Sequence, residues 1–362
     1  MIMKMSYIYK TIIGLVITML LSCCVKIDSA VQPENNSEIH FTSPIMSDAT
    51  KAVTGVIDTY PDSEKFNVYA KYSSGDFVSW ASGITYIDGV ETAYDSSENG
   101  WTTSMGSSGQ AYYWPNSGKL TFAAYSPSDC PGTSYGNSGL VVNDFVVSEN
   151  AAERYELLYA PRAMNKTSSS MTSGLYDGVQ LNFRHALSCI DFRVRNAANY
   201  SGSMIYIKSV KILNAYSKGD FAENITDGST YEASPDWTGQ NTEKDYTFYD
   251  PLTGPGHLVT VETLPLDVEE TLLMIPQELD HTSKHIVIRL EYDDNGVHKT
   301  SDIDLVNGFE GGYFNDGTNE IREWEPGKKY TYTITFGKYK IFFTPSVDNS
   351  NWSDSVIPPV YI

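Results

Sequence analysis

Apolar and polar residues alternate one for one along most of this chain, and Gly, Asn, Asp, Ser and Pro interrupt the alternation at short intervals. A period of two puts neighbouring side chains on opposite faces, so the pattern predicts strand after strand and an all-β fold. No long stretch keeps a helical period. Residues 38–45 set Ile39, Phe41 and Ser43 against His40 and Thr42 as a first strand, which Pro44 and Asp48 end. From Phe66 follow FNVYAKY, FVSW and ITYI, then residues 112–127, YYWPNSGKLTFAAYSP. The last stretch reads as an aromatic strand, a Pro-Asn-Ser-Gly turn and a second strand, which predicts a β-hairpin with Leu120, Phe122 and Ala124 on one face and Lys119 and Thr121 on the other. Tyr113, Trp114, Phe122 and Tyr125 carry more apolar surface than a lone hairpin hides. At roughly 25 cal/mol per Å² buried, they call for a second layer, hence a β-sandwich.

Further strands are expected at 140–147 and 156–160. The polar run 165–178 is the best linker, and 362 residues suit two cores better than one, which sets the expected domains at 38–175 and 176–362. Val179, Leu181, Phe183, His185 and Leu187 then share a face, whereas Ile190, Phe192 and Val194 fall on the opposite phase. A period-2 strand cannot change face without an extra residue, so a bulge or sharp bend is expected at 188–190. Strands follow at 204–213, 258–264, 271–276 and 284–292. Asp293-Asp294-Asn295-Gly296 joins the last to 297–305, the strongest hairpin signal in the chain. Tyr330, Tyr332, Ile334 and Phe336 alternate with threonines, and Tyr339, Ile341 and Phe343 continue the pattern after Gly337.

The N-terminus reads differently. Lys4 and Lys10 precede an apolar run at 12–21 that is too short to span a bilayer and closes on Leu20-Leu21-Ser22-Cys23. Residues 1–22 are therefore expected to be a lipoprotein signal peptide, with Cys23 the acylated residue, a palmitate-type anchor outside the cytoplasm, and 23–37 a polar tether. The net charge is −20, and losing Lys4 and Lys10 takes it to −22. A chain this acidic repels phosphate backbones, which excludes nucleic acid as a partner. Cys130 and Cys189 are distant in sequence and read as two separate buried thiols. The small-residue loop around Lys51 is a place where a trypsin-like protease fits an extended backbone, although an ordinary exposed lysine gives the same sequence.

Chemistry is sparse. Gly132-Thr133-Ser134-Tyr135-Gly136 has the G-x-S-x-G spacing, but Pro131 before it and Asn137-Ser138-Gly139 after it leave no helix for a nucleophile elbow. His281 and His285 are four apart, yet alternation resumes directly after them, which separates the rings. His185 on an apolar strand face reads as a hydrogen-bonded core histidine. No motif points to an enzyme, a cofactor or a metal. Trp80, Trp101 and Trp237 lie in or beside polar loops, either stacking on glycans or capping the ends of the sandwiches.

Several segments resemble, in order, the Mfa-like fimbrillins, the subunits of Bacteroidetes type V fimbriae: YYWP and LTFAAYSP; Leu157-Leu158-Tyr159-Ala160; residues 179–187; LLMIPQ at 272–277; residues 324–332; and Trp352 near the end. The resemblance implies two tandem transthyretin-like β-sandwich domains and a fimbrial structural or adhesive subunit at the outer membrane or in the fimbria. Its implied partners are other fimbrial subunits, the membrane through the lipid, and a host or bacterial surface ligand. It also implies cleavage of the lipidated precursor after a basic residue, here Lys51-Ala52, with loss of the first strand. The C-terminal strand of a neighbour then fills the emptied groove. The donor candidates are Tyr339, Ile341 and Phe343 or, beyond Pro358-Pro359, Val360 and Ile362. The alternative is a monomeric surface lipoprotein that binds glycans through Trp80, Trp101 and Trp237.

Overall fold

The computed structural model describes residues 33–348 except 43, 46–57, 151–152, 155, 172–176, 227–232, 252–253, 267–271, 282–283 and 309–310. Among these residues every regular element is a strand or a three-residue 3-10 turn, so the chain is all-β as its alternation predicts.

Eight strands form the first sheet, in the order Val179–Gln180, Phe41–Thr42, Gly100–Thr102, Ile84–Asp95, Phe66–Ser73, Lys119–Ser126, Leu158–Lys166, Arg184–His185. Only residues 181–183 join the two edge strands. A link that short reaches roughly 14 Å, so the sheet curls until its edges meet at one side of the core. Inside lie Phe41, Phe66, Phe122, Trp101, Trp114 and Phe183. Lys119–Ser126 is buried on both faces. Leu120, Phe122 and Ala124 point into this core, Tyr125 belongs to the second core, and Ala123 lies under Phe77 and Trp80.

The hairpin expected over 112–127 does not form as a ladder. The turn is present, with Gly118 at φ +79°. Its first arm, Tyr113–Pro115, pairs instead with Pro33–Glu38, so the tether expected over 23–37 is already strand from Pro33, and its second arm pairs with Phe66–Ser73 and Leu158–Lys166. The arms face each other across the core, with the Trp114 and Phe122 rings edge to face at 5.9 Å. Alternation fixes which side chains share a face; it does not fix which strand supplies the hydrogen bonds.

The second core lies between two further sheets. The 18-residue strand Ile205–Ala222 is central to one, bonded to Gly139–Val146, Asp236–Tyr249, His257–Leu258 and Val287–Asp294. Val297–Asp304 extends that sheet through the Asn295-Gly296 turn, both of whose residues have positive φ, as a two-residue hairpin requires. In the other sheet Ser188–Asn196 runs parallel to Lys329–Phe336, and Ile341–Asp348 forms the edge.

The strands do not part at residue 175. Thr133–Gly136 and Gly139–Val146 belong to the second assembly, while Val179–Gln180 and Arg184–His185 close the first. The phase change near 188–190 marks this crossing. Residues 185–190 are all buried because the chain leaves one sheet and enters another there, so no bulge within a single strand is needed. Arg162 ties the two assemblies together. Its guanidinium lies 4.8 Å from the Trp80 ring and donates to the carbonyls of Gly136 and Asn137.

Candidate functional site

The leading segment is built into the first sheet. Phe41–Thr42 lies between Gly100–Thr102, antiparallel at Phe41 and Trp101, and Val179–Gln180, parallel at Phe41 and Val179. The amides of Val179 and Leu181 donate to the carbonyls of His40 and Thr42 at 2.7 and 2.8 Å, and the Ile39 amide donates to the Tyr112 carbonyl at 2.8 Å. Ile39 and Phe41 are buried, the Phe41 ring edge-on to Phe122 at 5.3 Å and to Phe66 at 6.2 Å. His40 and Thr42 are less buried, as the alternation predicts, while Ser43 lies outside the described residues. Glu38 adds a polar latch, its carboxylate accepting from the hydroxyls of Thr102 and Ser104 at 2.6 Å each.

Two glycines shape the slot. A Cβ on Gly178 (φ +145°) would lie 2.5 Å from the Phe41 amide nitrogen, and one on Gly100 would lie 2.3 Å from the Asp177 carbonyl oxygen and 3.2 Å from that of Phe41. Only glycine lets three backbones pass this closely. Neither position stood out in the sequence; the signal was an Asn-Gly and an Asp-Gly, each directly before a short strand. Trp101 forms the floor, packed against Tyr60 at 5.7 Å and Tyr94 at 5.2 Å.

Removing residues before 46 would bare the Val179 and Leu181 amides and expose the holes left by Ile39 and Phe41. Each side chain is worth about 1.5–3 kcal/mol of burial, and unsatisfied amides add to the loss.

Among the other expected residues, Cys23, Lys51, Ala52, Val360 and Ile362 lie outside the described residues. Tyr339 projects from a turn and is 89% exposed, whereas Ile341 and Phe343 belong to the edge strand Ile341–Asp348. Phe343 is buried against Tyr332 and Phe314, each ring at 4.9 Å. The tryptophans are not exposed: Trp101 is fully covered, Trp80 and Trp237 are 5% and 6% exposed, and the Trp237 indole N–H donates to the Ala186 carbonyl. Their ring faces are taken up by packing, which goes against the alternative that they lie open to sugars and agrees with the capping one. Cys130 and Cys189 are separate, buried thiols. Thr133–Gly136 is a strand paired with Gly139–Val146, with no elbow. His185 is buried and bonded to Glu156, while His285 meets Asp304 at 2.8 Å and His281 stacks on Tyr216. No helix among the described residues is long and apolar enough to cross a membrane.

A family model described as fimbrillin-like matches residues 50–352. No curated protein matches the chain. Among solved structures, a fimbrial protein from Bacteroides vulgatus is similar at 18% identity, over 86% of this chain and 99% of the other, with a TM-score of 0.53. A candidate cell-adhesion protein from Bacteroides uniformis is similar at 16% identity, over 88% and 99%, with a TM-score of 0.50. At such identities the likeness bears on the fold.

Proposed function

This chain belongs to the fimbrillin-like family, and on that footing we propose that it is a fimbrial subunit, exported as a lipoprotein and assembled by exchange of its leading strand. In this reading acylation of Cys23 holds the precursor at the outer membrane. Cleavage between Lys51 and Ala52 then frees the segment that fills the slot, and the C-terminal strand of a neighbouring subunit replaces it. The two units of the subunit are read as the tandem transthyretin-like sandwiches of the family.

The observation that carries the reading is the position of Phe41–Thr42: an interior strand of the first sheet, supplied by a segment that precedes Lys51. A strand there contributes core and ladder together, so its loss leaves a groove that another extended chain can satisfy. On the Val179–Gln180 side the slot asks the incoming strand for carbonyl oxygens opposite the Val179 and Leu181 amides and, between them, for an amide that the parallel ladder aims at the Val179 carbonyl. Pro358 and Pro359 lack amide protons and remove one donor on each edge, so they fit only outside these bonded positions. Phe343 already fills a place in its own core. Val360 and Ile362 are therefore the better knobs, with Ile341–Asp348 as the anchored base of the donor.

The test is cleavage of lipid-free precursor with a lysine-specific protease under native conditions, followed by light scattering. Release of the residues up to Lys51 together with growth of multimers is expected, and a Lys51→Gln chain should stay intact and monomeric. A cut chain that remains monomeric at high concentration would overturn the reading.

A further inference from the structure

The second assembly carries an acidic cleft of about 500 Å³ between the start of Asp236–Tyr249, the segment 276–281 and residues 323–326. Asp236, Glu278, Asp280, Glu323 and Glu325 line it, and no lysine or arginine does. Glu325 is paired with Lys328, and Asp280 lies 3.4 Å from a ring nitrogen of His285. Asp236, Glu278 and Glu323 form no ion pair among the described residues, and Glu323 feels the charge of Lys328 only weakly against burial and its acidic neighbours.

Two features set this cleft apart from a merely solvated acidic surface. Gln277–Glu278 pairs antiparallel with Glu323–Trp324, which puts Glu278 directly opposite Glu323. Like charges in facing positions destabilise a ladder. Burial, and then the charges of Glu325 and Glu278, raise the Glu323 carboxyl above its ordinary value. The second feature is His281, which lines the same cleft and is 5% exposed, stacked on Tyr216 at 3.8 Å. Neither of its ring nitrogens has a partner of full hydrogen-bond geometry among the described residues, although the Glu278 and Asn214 backbones lie near enough to favour its proton. Leaving a buried polar group unpaired costs about 1–3 kcal/mol, so the site gains when an N–H donor reaches it. Burial also keeps the imidazole neutral by lowering its affinity for a proton, which preserves one nitrogen as an acceptor.

We infer that this cleft binds an arginine side chain presented by a partner polypeptide, its guanidinium held between Glu278 and Glu323 and donating to His281. The guanidinium is the cation with several donors in a planar fork, which suits facing carboxylates and an imidazole acceptor together. A metal ion fits less well, because among the described residues no three His, Cys, Asp or Glu side chains are placed to hold one. A sugar fits less well too. Trp237 and Trp324 in the lining are covered and their indole N–H groups are used, while Tyr216 is already stacked. The inference stands apart from strand exchange, since it uses none of the residues of the slot.

The experiment titrates the intact precursor with acetyl-Gly-Arg-Gly-amide, followed by calorimetry and by the imidazole resonances of His281. Its neutral isostere, with citrulline in place of arginine, and cellobiose are titrated in parallel. Saturable binding of the arginine peptide that perturbs His281 is expected, weaker by about tenfold or more for citrulline and for the Glu278→Gln/Glu323→Gln chain, and falling as salt rises. The double variant relieves a repulsion, so its melting temperature should hold or rise, which separates lost binding from lost folding. The His281→Phe chain should bind several-fold more weakly. No binding of the arginine peptide up to roughly 10 mM, equal binding of citrulline, or binding of cellobiose alone would each overturn the inference.

Discussion

Phe41 is the side chain that most directly reports whether the leading strand belongs to the core. Its ring is fully buried among Phe66 and Phe122. Phe41→Ala should therefore cost about 3–5 kcal/mol in urea denaturation of the precursor, with the loss confined to the first assembly. A cost under about 1 kcal/mol would mean the strand only rests on the surface. Glu223 sets a pH dependence. Its buried carboxyl accepts from the Leu140 amide at 2.8 Å, and burial pushes its pKa up to about 8 despite that bond and the charges of Arg162 and Arg184. The folded chain keeps a proton that the unfolded chain sheds above about 4.5. The stabilisation is thus complete below that value and declines by up to about 1.4 kcal/mol per pH unit until it is lost through about pH 8. Glu223→Gln removes the ionisation, and urea midpoints between about pH 5 and 8 should lose that part of their slope. The apolar face of residues 38–45 was legible in the sequence because Ile39 and Phe41 alternate with polar neighbours. Glu223 was not: in the sequence it is one acid among many, and its burial depends on Gly139 and Leu140, eighty-odd positions away.

At the level of elements, the period of the pattern held and the pairing did not. Local signals fixed Asn295-Gly296 as a hairpin, since two residues of positive φ suffice to join adjacent strands. The aromatic stretch at 112–127 misled because its arms are separated by the core, and each finds its ladder partner far away in sequence. The phase change was expected as a bulge or sharp bend at 188–190, whereas Arg184–His185 and Ser188–Asn196 are separate strands in different sheets, so the change of sheet accounts for it. The slot shows the same division. Its occupant was visible, but its walls were not, because Gly100 and Gly178 matter only once Phe41–Thr42 is placed between them. Gly178→Val should therefore act on the slot. Its Cβ meets the His40–Phe41 backbone at 2.5 Å and its φ of +145° is strained for a branched side chain, so the precursor should melt lower and residues 33–45 should become sensitive to protease. An unchanged melting temperature and intact residues 33–45 would contradict the tight passage.

For the whole molecule, two cores share one continuous chain that crosses between them more than once, and Arg162 with Trp80 bonds the assemblies at the crossing. The first assembly borrows an interior strand from before Lys51. Among the described residues the second has Ile341–Asp348 as an edge strand, directly before the C-terminal residues from which a donor would extend. On the proposed cut after Lys51 the subunit would be complete before cleavage and incomplete afterwards, and that difference could drive a polymer. Its most direct test is hydrogen exchange at the Val179 and Leu181 amides, which in the precursor donate to His40 and Thr42. The account predicts slow exchange in the precursor, fast exchange in dilute chain cut after Lys51, and slow exchange again as multimers grow. Protection that persists in the cut monomer, or that never returns in the multimer, would contradict it.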